Sequence, residues 1–321
     1  MPRAVLVRQT GGPEVLELAD VAVGDPGEGE VEIAIDAAGV NYIDTYHRSG
    51  IYPMETPFGL GIEGAGRITA VGAGVSDFTV GDRVGWFDGR GSYAERIVLP
   101  TAKLVPVPEG IDDETAAALL LQGVTAHYLL TSTYPVKEGD PILIHAAAGG
   151  TGLLLVQLAK ARGARVLATV STPEKEKLAR EAGADEVVGY EDFDKAAREF
   201  TDGVGMAAVY DGVGKTTFDK SLASVRRRGY MVLFGASSGP VPPVDPQRLN
   251  AQGSVYLTRP TSRDFTVTPE EVRWRTGELF EAVLAGKLKV RVGAKYPLAD
   301  ARQAHEDLQG RKTTGKLLLI P

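Results

Sequence analysis

The stretch ILIHAAAGGTG, residues 142–152, decides the fold of this chain. Residues 142–146 are typical of a short apolar strand, and Thr151 to Arg162 predicts a helix that ends at Gly163. The turn between them fits the pattern A-x-G-x-x-G, with Ala147 at the first glycine position of a dinucleotide-binding turn. Small residues keep such a turn tight and let its backbone approach a diphosphate, which the free N–H groups at the helix start bind. The stretch therefore predicts a nucleotide-binding strand–turn–helix unit.

The residues after this unit alternate between strand and helix patterns. Further strands are predicted at 165–170, 186–188, 206–210 and 230–234, and further helices at 173–182, 192–200 and 215–225. Regular alternation of this kind predicts a parallel sheet with helices on both faces. The run Arg226-Arg227-Arg228, beside Gly229, is interpreted as the solvated end of the last of these helices. The middle of the chain is therefore predicted to be a doubly wound α/β domain.

The first 110 or so residues have a different pattern. VEIAIDAAGV, residues 31–40, alternates as a half-buried strand does, and glycine and proline interrupt the region repeatedly. Short strands separated by turns predict a compact β-rich module. After about residue 259 the chain has one convincing helix, 269–285, and then strand-like pieces that are too short for a core of their own. We expect this tail to return and complete the N-terminal module.

Composition excludes several function classes. The 321 residues include no cysteine, which excludes disulfides, Cys-ligated zinc, iron–sulfur clusters and thiol catalysis. The four histidines show no metal-ligand spacing. A net charge of −7 argues against nucleic-acid partners and a polybasic membrane anchor. The N-terminus does not resemble a signal peptide, and polar residues interrupt the most apolar segment, 116–130, so we expect no membrane span and a cytoplasmic location.

The end of the second strand, residues 168–172, indicates which dinucleotide is bound. NAD-binding domains place Asp or Glu there, about 20 residues beyond the glycine turn, to bind the ribose 2′-hydroxyl. Here the strand ends ATVST without a carboxylate. Ser171 offers a hydroxyl to a 2′-phosphate, and Lys175, one helical turn on, supplies a positive charge. The pattern favours NADPH; the alternative is that Ser171 only caps the helix and that Lys175 is a solvated charge.

Seven motifs are distributed over the chain: GGPEVL at 11–16, AAGVNYIDTYHRSGIYP at 37–53, GIEGAG at 61–66, VGDRV at 80–84, HAAAGGTG at 145–152, AVYDGVG at 208–214 and GYMVLFGASSG at 229–239. Together with the C-terminal TTGKLLLIP they resemble the NADPH:quinone oxidoreductases, the zinc-free branch of the medium-chain dehydrogenase/reductase superfamily. The resemblance implies a GroES-like catalytic domain at 1–123, completed by 259–321. It also implies an inserted Rossmann domain at 124–258 that binds NADPH, and usually a homodimer.

The zinc-dependent relatives differ from this chain at two positions. They carry Cys where Asn41 stands and His where Ile62 stands. Neither Asn41 nor Ile62 replaces a thiolate or an imidazole as a zinc ligand, and the cysteine-rich structural zinc lobe is missing as well. Alcohol oxidation through a metal-bound alkoxide is therefore not expected.

The resemblance also implies site residues. Asn41, Tyr46 and Tyr52 should border the catalytic cleft, and Thr125 should lie near the nicotinamide end. The implied cofactor contacts are Gly149, Gly150, Thr151 and Gly152 at the diphosphate, Ser171, Lys175, Tyr190 and Arg311 at the adenosine 2′-phosphate, and Phe234, Gly235 and Ser237 after a strand end. In the alternative interpretation the two tyrosines only pack and Asn41 only satisfies a loop backbone. His145 is interpreted as structural.

The expected reaction is NADPH-dependent reduction of quinones or similar conjugated carbonyl compounds without a metal. Tyrosine hydroxyls or the Asn41 amide are expected to stabilise the developing oxyanion. One alternative is an enoyl or 2-alkenal reductase with the same cofactor. Another is an NADPH-binding protein that contacts RNA and has little turnover, which the acidic net charge disfavours.

Overall fold

The computed structural model describes residues 1–321. Its strands are β1 Arg3–Val7, β2 Leu16–Asp20, β3 Glu30–Val40, β4 Phe58–Gly59, β5 Glu63–Val71, β6 Arg83–Trp86, β7 Arg96–Pro100, β8 Val105–Pro106, β9 Pro141–Ile144, β10 Arg165–Thr169, β11 Glu186–Val188, β12 Met206–Asp211, β13 Val225–Leu233, β14 Tyr256–Thr258, β15 Val292–Pro297 and β16 Lys316–Ile320. Its α-helices are α1 Tyr42–Ser49, α2 Asp113–Tyr128, α3 Gly150–Ala161, α4 Pro173–Glu181, α5 Phe193–Phe200, α6 Phe218–Ser224, α7 Gln247–Ala251, α8 Pro269–Leu284 and α9 Ala301–Gln309. None of the helices combines the length and apolar character that crossing a membrane requires.

One compact unit, Gln122–Arg275, contains a six-stranded parallel sheet in the order β11-β10-β9-β12-β13-β14. Counted within the unit, this is the order 3-2-1-4-5-6 of a Rossmann domain. Helix α3 packs beside α4, and α5 packs beside α6. From β9 to β11 the chain moves toward one edge of the sheet, and after β11 it returns past β9 and moves toward the other edge. Because the crossovers are right-handed, the two helix pairs lie on opposite faces. The doubly wound parallel sheet predicted from the sequence is confirmed.

The arginine run at 226–228 corrects one interpretation. These residues lie within β13, not at the end of a helix, and α6 ends earlier, at Ser224. The pairing of β12 with β13 shifts register between Met206 and Ala208, and Arg228 adopts φ 56 there. A Cβ at Gly229 would lie 3.0 Å from the carbonyl oxygen of Ala207, so glycine allows the strand to return to the sheet after this irregularity.

The other compact unit consists of Met1–Leu121 and Thr276–Pro321. Its larger sheet has seven strands in the order β15-β16-β3-β5-β6-β8, with β7 also paired to β3, and a second sheet has the order β2-β1-β4. Strand β16 pairs antiparallel with β3, and Leu317 and Leu319 share one buried core with Ile33 and Trp86. The last residues of the chain therefore belong to the same unit as the first. The sequence placed the return to this unit at residue 259, whereas the structure keeps residues up to Arg275 in the Rossmann unit.

Candidate active site

The turn after β9 brings its backbone close to the start of α3. Gly149 is the N-cap of α3 and has no side chain that accepts hydrogen bonds from the first helical N–H groups, 150–152. A Cβ at Gly152 would lie 2.3 Å from the carbonyl oxygen of Ala146 and 2.7 Å from Cα of Ala147, so only glycine permits this packing. The bare N–H groups at the positive end of a three-turn helix fit a diphosphate.

Ser171 and Lys175 lie together beyond the end of β10. The Lys175 Nζ donates to the Ser171 hydroxyl at 3.4 Å. Thr172 is the N-cap of α4, and its hydroxyl accepts from the backbone N–H of Lys175 at 3.3 Å. The alternative that Ser171 caps this helix is therefore wrong. Hydrogen bonds from its own backbone and from Thr172 lower the pKa of Glu174, so this carboxylate is held at the helix start.

Tyr190 contacts the glycine turn. Its hydroxyl oxygen accepts the backbone N–H of Ala146 at 3.0 Å, and its ring lies 6.0 Å from that of His145 at an angle of 21°. Ala146 adopts φ 52, a conformation that residues with a side chain rarely adopt, and the hydrogen bond helps to hold it there. Tyr190 therefore supports the turn that precedes α3.

Phe234, Gly235 and Ser237 follow the end of β13 and lie against the loop after β12. The backbone N–H of Phe234 donates to the Asp211 carbonyl at 2.9 Å, and that of Ser237 donates to the Gly212 carbonyl at 3.1 Å. A Cβ at Gly235 would lie 2.5 Å from the carbonyl oxygen of Gly212, so glycine allows the two loops to touch. These loops leave the sheet at strand C-terminal ends on the same side of the switch point, where open α/β sheets bind ligands.

The remaining two cofactor residues predicted from the sequence lie in different units. Thr125 is a half-buried residue of α2 in the Rossmann unit and hydrogen-bonds the Tyr128 side chain. Arg311 is exposed after α9 in the other unit, close enough to Tyr42 for its charge to oppose the rise in the pKa of that hydroxyl. The structure thus brings Ser171 and Lys175 together within one unit and places Arg311 in the other.

Asn41 lies at the centre of a buried polar cluster. Its side-chain Nδ2 donates to Glu63 Oε2 at 2.8 Å and to the Gly39 carbonyl at 3.2 Å, and its Oδ1 accepts from Lys316 Nζ at 2.7 Å. Lys316 and Glu63 form an ion pair, and Leu121 donates its backbone N–H to Glu63 Oε1 at 2.6 Å. Both hydrogens of the Asn41 amide therefore have acceptors inside the protein.

Tyr46 and Tyr52 lie edge to face, with ring centroids 5.4 Å apart at 71°. Tyr46 is 7% exposed on α1, whereas Tyr52, beyond the end of that helix, is 38% exposed. A backbone hydrogen bond of 3.2 Å from the Tyr52 N–H to the Tyr46 carbonyl fixes their relative position. Of the three residues predicted to border the cleft, Tyr52 is the one whose side chain is most accessible.

A second buried network was missed in the sequence. The Tyr93 hydroxyl donates to Asp44 Oδ2 at 2.8 Å and contacts His305 Nε2 at 3.2 Å, while Arg48 donates to His305 Nδ1 at 2.9 Å. Arg48 has no acceptor atom, so Nδ1 of His305 is unprotonated and Nε2 carries the hydrogen. The sequence gives no signal for this network, because Tyr93 and His305 are far in the chain from Asp44 and Arg48.

We expect the pH dependence of stability to change in Asp44→Asn. Burial raises the pKa of Asp44 to about 7, so its contribution to stability is fully present below its ordinary pKa and is lost as the pH rises toward 7. Burial and the Arg48 charge lower the pKa of His305 to about 3, so its contribution is present above pH 6.5 and is lost as the pH falls. The two trends oppose each other between pH 4 and 6.5 in the native protein.

The Asp44→Asn variant keeps only the histidine trend. On acidification from pH 6.5, its free energy of unfolding should fall more steeply than that of the native protein, by up to about 1.4 kcal/mol per pH unit. Its melting temperature should fall more steeply as well. Calorimetry at half-unit pH steps measures this, and Asp25→Asn, at an exposed residue, is the matched control. Parallel curves for Asp44→Asn and the native protein would contradict the prediction.

Two family models match the chain. Residues 27–109 match the alcohol dehydrogenase GroES-like domain, and residues 150–273 match the zinc-binding dehydrogenase model. The first lies within the β-rich unit and the second within the Rossmann unit.

Full-length relatives and solved structures agree with these matches. A quinone oxidoreductase from Pseudomonas aeruginosa is 46% identical over 100% of both chains. A 2-haloacrylate reductase from Burkholderia is 41% identical over 100% of this chain and 99% of the relative. The crystal structure of Escherichia coli quinone oxidoreductase complexed with NADPH superposes with a TM-score of 0.98, at 43% identity over 99% of this chain and 100% of that chain.

Proposed function

This chain belongs to the quinone oxidoreductases of the medium-chain dehydrogenase/reductase superfamily, and from this membership we propose that it reduces quinones or similar conjugated carbonyl compounds with NADPH. One observation of the structure carries the proposal. The bare start of α3, where Gly152 packs on the turn backbone, lies in the same unit as the carboxylate-free pair Ser171 and Lys175. The first fits a diphosphate and the second a 2′-phosphate, and NADPH carries both of these groups.

The chain's own residues would hold this cofactor in three places. The N–H groups of residues 150–152 would bind the diphosphate, beside Gly149. Ser171, Lys175 and Tyr190 are proposed to surround the 2′-phosphate, and a contact of Arg311 with this group stays a prediction from the family resemblance. Thr125, Phe234, Gly235 and Ser237 are proposed to contact the remainder of the nucleotide. When bound, NADPH would supply two electrons and one of the two hydrogens that the carbonyl substrate gains, and solvent would supply the other as a proton.

The residues of the β-rich unit would bind the carbonyl compound. We assign Tyr52 as the hydrogen-bond donor to its oxygen, because the Tyr52 side chain is accessible and is supported by the buried Tyr46 ring. A donor aimed at the oxygen stabilises the negative charge that develops there during reduction. Asn41 is also proposed to border this site, but its amide donates to Glu63 and Gly39. Because both amide hydrogens have acceptors inside the protein, we do not assign Asn41 as the donor to the substrate.

Tyr52→Phe should lower kcat/KM for quinones by roughly 10–100-fold, the loss expected for one hydrogen bond to a charged group. The affinity for NADPH should stay unchanged. Stopped-flow and steady-state rates with a benzoquinone series measure the first, and fluorescence titration measures the second. Tyr296→Phe, which removes a hydroxyl that donates to Asp307 Oδ2 in the same unit, is the control. Turnover equal to the native rate in Tyr52→Phe would remove Tyr52 from the proposed site.

The proposed activity is tested by oxidation of NADPH and NADH across panels of quinones and enones. We expect NADPH to be preferred and quinones to be turned over fastest. The alternative, reduction of an activated carbon–carbon double bond, has specific support in the 2-haloacrylate reductase that is 41% identical to this chain. Faster turnover of 2-alkenals or haloacrylates than of any quinone would favour that alternative.

We also propose that the protein acts as a cytoplasmic homodimer. Strand β14 is the edge strand of the Rossmann sheet, and its Tyr256 is 53% exposed. Unpaired backbone groups at such an edge favour pairing with a second copy. Sedimentation equilibrium tests the dimer, and a monomer at micromolar concentration would contradict it.

A further inference from the structure

His145 stands in the nucleotide-binding stretch but is 1% exposed and does not face solvent. Its Nδ1 lies 2.8 Å from the Thr169 hydroxyl, and its Nε2 lies 2.8 Å from the Ser221 hydroxyl. Ser221 and Thr217 both donate to Asp211 Oδ2, at 2.8 and 2.7 Å. We call the side chains of His145, Thr169, Ser221 and Asp211 the His145 cluster. All four are buried in the Rossmann unit.

The donor and acceptor at each bond follow from chemistry. The Asp211 carboxylate only accepts, so the single hydroxyl hydrogen of Ser221 points to Asp211. The Ser221 oxygen then accepts from His145 Nε2–H. His145 Nδ1 is consequently unprotonated and accepts the hydroxyl hydrogen of Thr169. The ring is neutral, and burial lowers the pKa of His145, which agrees with this assignment.

The His145 cluster joins the ends of three neighbouring strands. His145 follows β9, Thr169 ends β10 and Asp211 ends β12. Asp211 Oδ1 also accepts the backbone N–H groups of Val213 and Gly214, at 2.8 and 2.9 Å, and so shapes the loop after β12. The segments that leave β9 and β10 carry the residues proposed for the diphosphate and the 2′-phosphate. The loop after β12 packs against the segment after β13, where the N–H of Phe234 donates to the Asp211 carbonyl and that of Ser237 to the Gly212 carbonyl.

The link between His145 and Thr169 spans the two phosphate subsites. His145 stands four residues before Gly149, and Thr169 stands two residues before Ser171. The His145 ring also lies against Tyr190, whose hydroxyl accepts the Ala146 N–H. A change at His145 therefore alters the distance and orientation between the diphosphate and 2′-phosphate subsites.

We propose that His145 is a positioning residue that sets the preference for NADPH over NADH. The inference rests on the proposed function, because it assumes that the glycine turn and Ser171 bind one nucleotide. NADPH engages both subsites, so it depends on their relative position. NADH has no 2′-phosphate, so its binding does not depend on the position of Ser171 and Lys175 relative to the glycine turn. Loss of the hydrogen bond between His145 and Thr169 should thus lower the affinity for NADPH more than the affinity for NADH.

Three variants at the cluster separate its two bonds. His145→Asn keeps an oxygen acceptor near the Nδ1 position for Thr169, His145→Gln keeps a donor near the Nε2 position for Ser221, and His145→Phe keeps neither. We expect His145→Phe to raise the Kd of NADPH about tenfold and that of NADH about twofold or less. His145→Asn should retain the native ratio of the two Kd values, and His145→Gln should not.

Thr169→Val provides an independent test of the same bond with a smaller change of shape. It should lower the NADPH preference in the native background and have no further effect in His145→Phe, since the bond is already absent there. His305→Phe is the matched control, because His305 is also a buried histidine with two ring hydrogen bonds but lies in the other unit. It should lower the melting temperature and leave both Kd values unchanged.

The measurements are fluorescence titrations of NADPH and NADH, made on variants that circular dichroism shows to be folded. An equal loss of affinity for both nucleotides, or a native ratio of Kd values in both His145→Phe and Thr169→Val, would overturn the positioning role. Failure of the native protein itself to bind either nucleotide would instead overturn the proposed function.

Discussion

Gly152→Ala is expected to lower the affinity for NADPH by roughly 10–100-fold. The new Cβ would lie 2.3 Å from the Ala146 carbonyl oxygen and 2.7 Å from Cα of Ala147. Both are backbone atoms of the turn, so no side chain can rotate away, and the turn must move from the start of α3. Overpacking of this kind costs about 1–3 kcal/mol, and about 1.4 kcal/mol corresponds to a tenfold change in affinity.

The control for this prediction is Gly277→Ala. Gly277 lies in the interior of α8, and no atom lies within 4 Å of the position that its Cβ would take. Alanine is the better helix former by about 1 kcal/mol, so this variant should be at least as stable as the native protein and bind NADPH normally. Isothermal titration calorimetry measures the NADPH affinity of the two folded variants and of the native protein. Native affinity in Gly152→Ala would show that the turn does not hold the diphosphate.

The Rossmann unit could be predicted from the sequence because its signals are local. Each strand and helix there has its own apolar period, and the glycine turn between 142 and 152 fixes the first crossover. The error at Arg226–Arg228 arose where a local signal and a long-range contact disagree. Charged residues before a glycine resemble a helix end, but the close packing of Gly229 on Ala207 keeps this segment in β13.

The polar core of the β-rich unit could be predicted only in part. GIEGAG and TTGKLLLIP were recognised as motifs, yet nothing in either shows that Glu63 and Lys316 meet, since they are separated by 253 residues. One usable signal was present. A lysine that begins an apolar strand needs a buried partner, because an unpaired charge in a protein interior is strongly unfavourable. The partner itself follows only from the fold, in which β3 pairs with both β16 and β5 and Gly39 lies opposite both Leu318 and Glu63.

The burial and hydrogen bonds of His145 agree with its interpretation as a structural residue, but its partners could not be predicted from the sequence. Its position beside the glycine turn was visible, but Thr169, Ser221 and Asp211 are brought to it by three different crossovers. Asn41 shows the converse case. Sequence resemblance placed it at the catalytic cleft, and the structure adds that its amide hydrogens are already donated to Glu63 and Gly39. For both residues, the hydrogen-bond partners could be identified only from the fold.

Ser171→Asp is expected to reverse the cofactor preference. Ser171 is exposed just beyond the end of β10, and its hydroxyl accepts a hydrogen bond from the Lys175 ammonium. The nearby Glu174 carboxylate is held at the start of α4. A carboxylate at 171 would pair with Lys175 and repel a 2′-phosphate, and like charges placed together cost several kcal/mol. We expect the Kd of NADPH to rise roughly 100-fold. NADH should bind as well as before or better, because an acidic residue at this strand end accepts the ribose 2′-hydroxyl.

The variant Ser171→Asn separates the effect of charge from the effect of size, because asparagine is nearly the same size as aspartate but carries no charge. It should raise the Kd of NADPH far less than Ser171→Asp does. Because the site is exposed, added salt screens the repulsion, so the difference between the two variants should shrink from 0.05 to about 0.5 M salt. A Kd for NADPH that is equal in the two variants, or a gap that salt does not narrow, would place the 2′-phosphate away from Ser171. Since Thr172 rather than Ser171 caps α4, neither substitution removes a helix cap, and any change in NADPH affinity reports on the nucleotide contact itself.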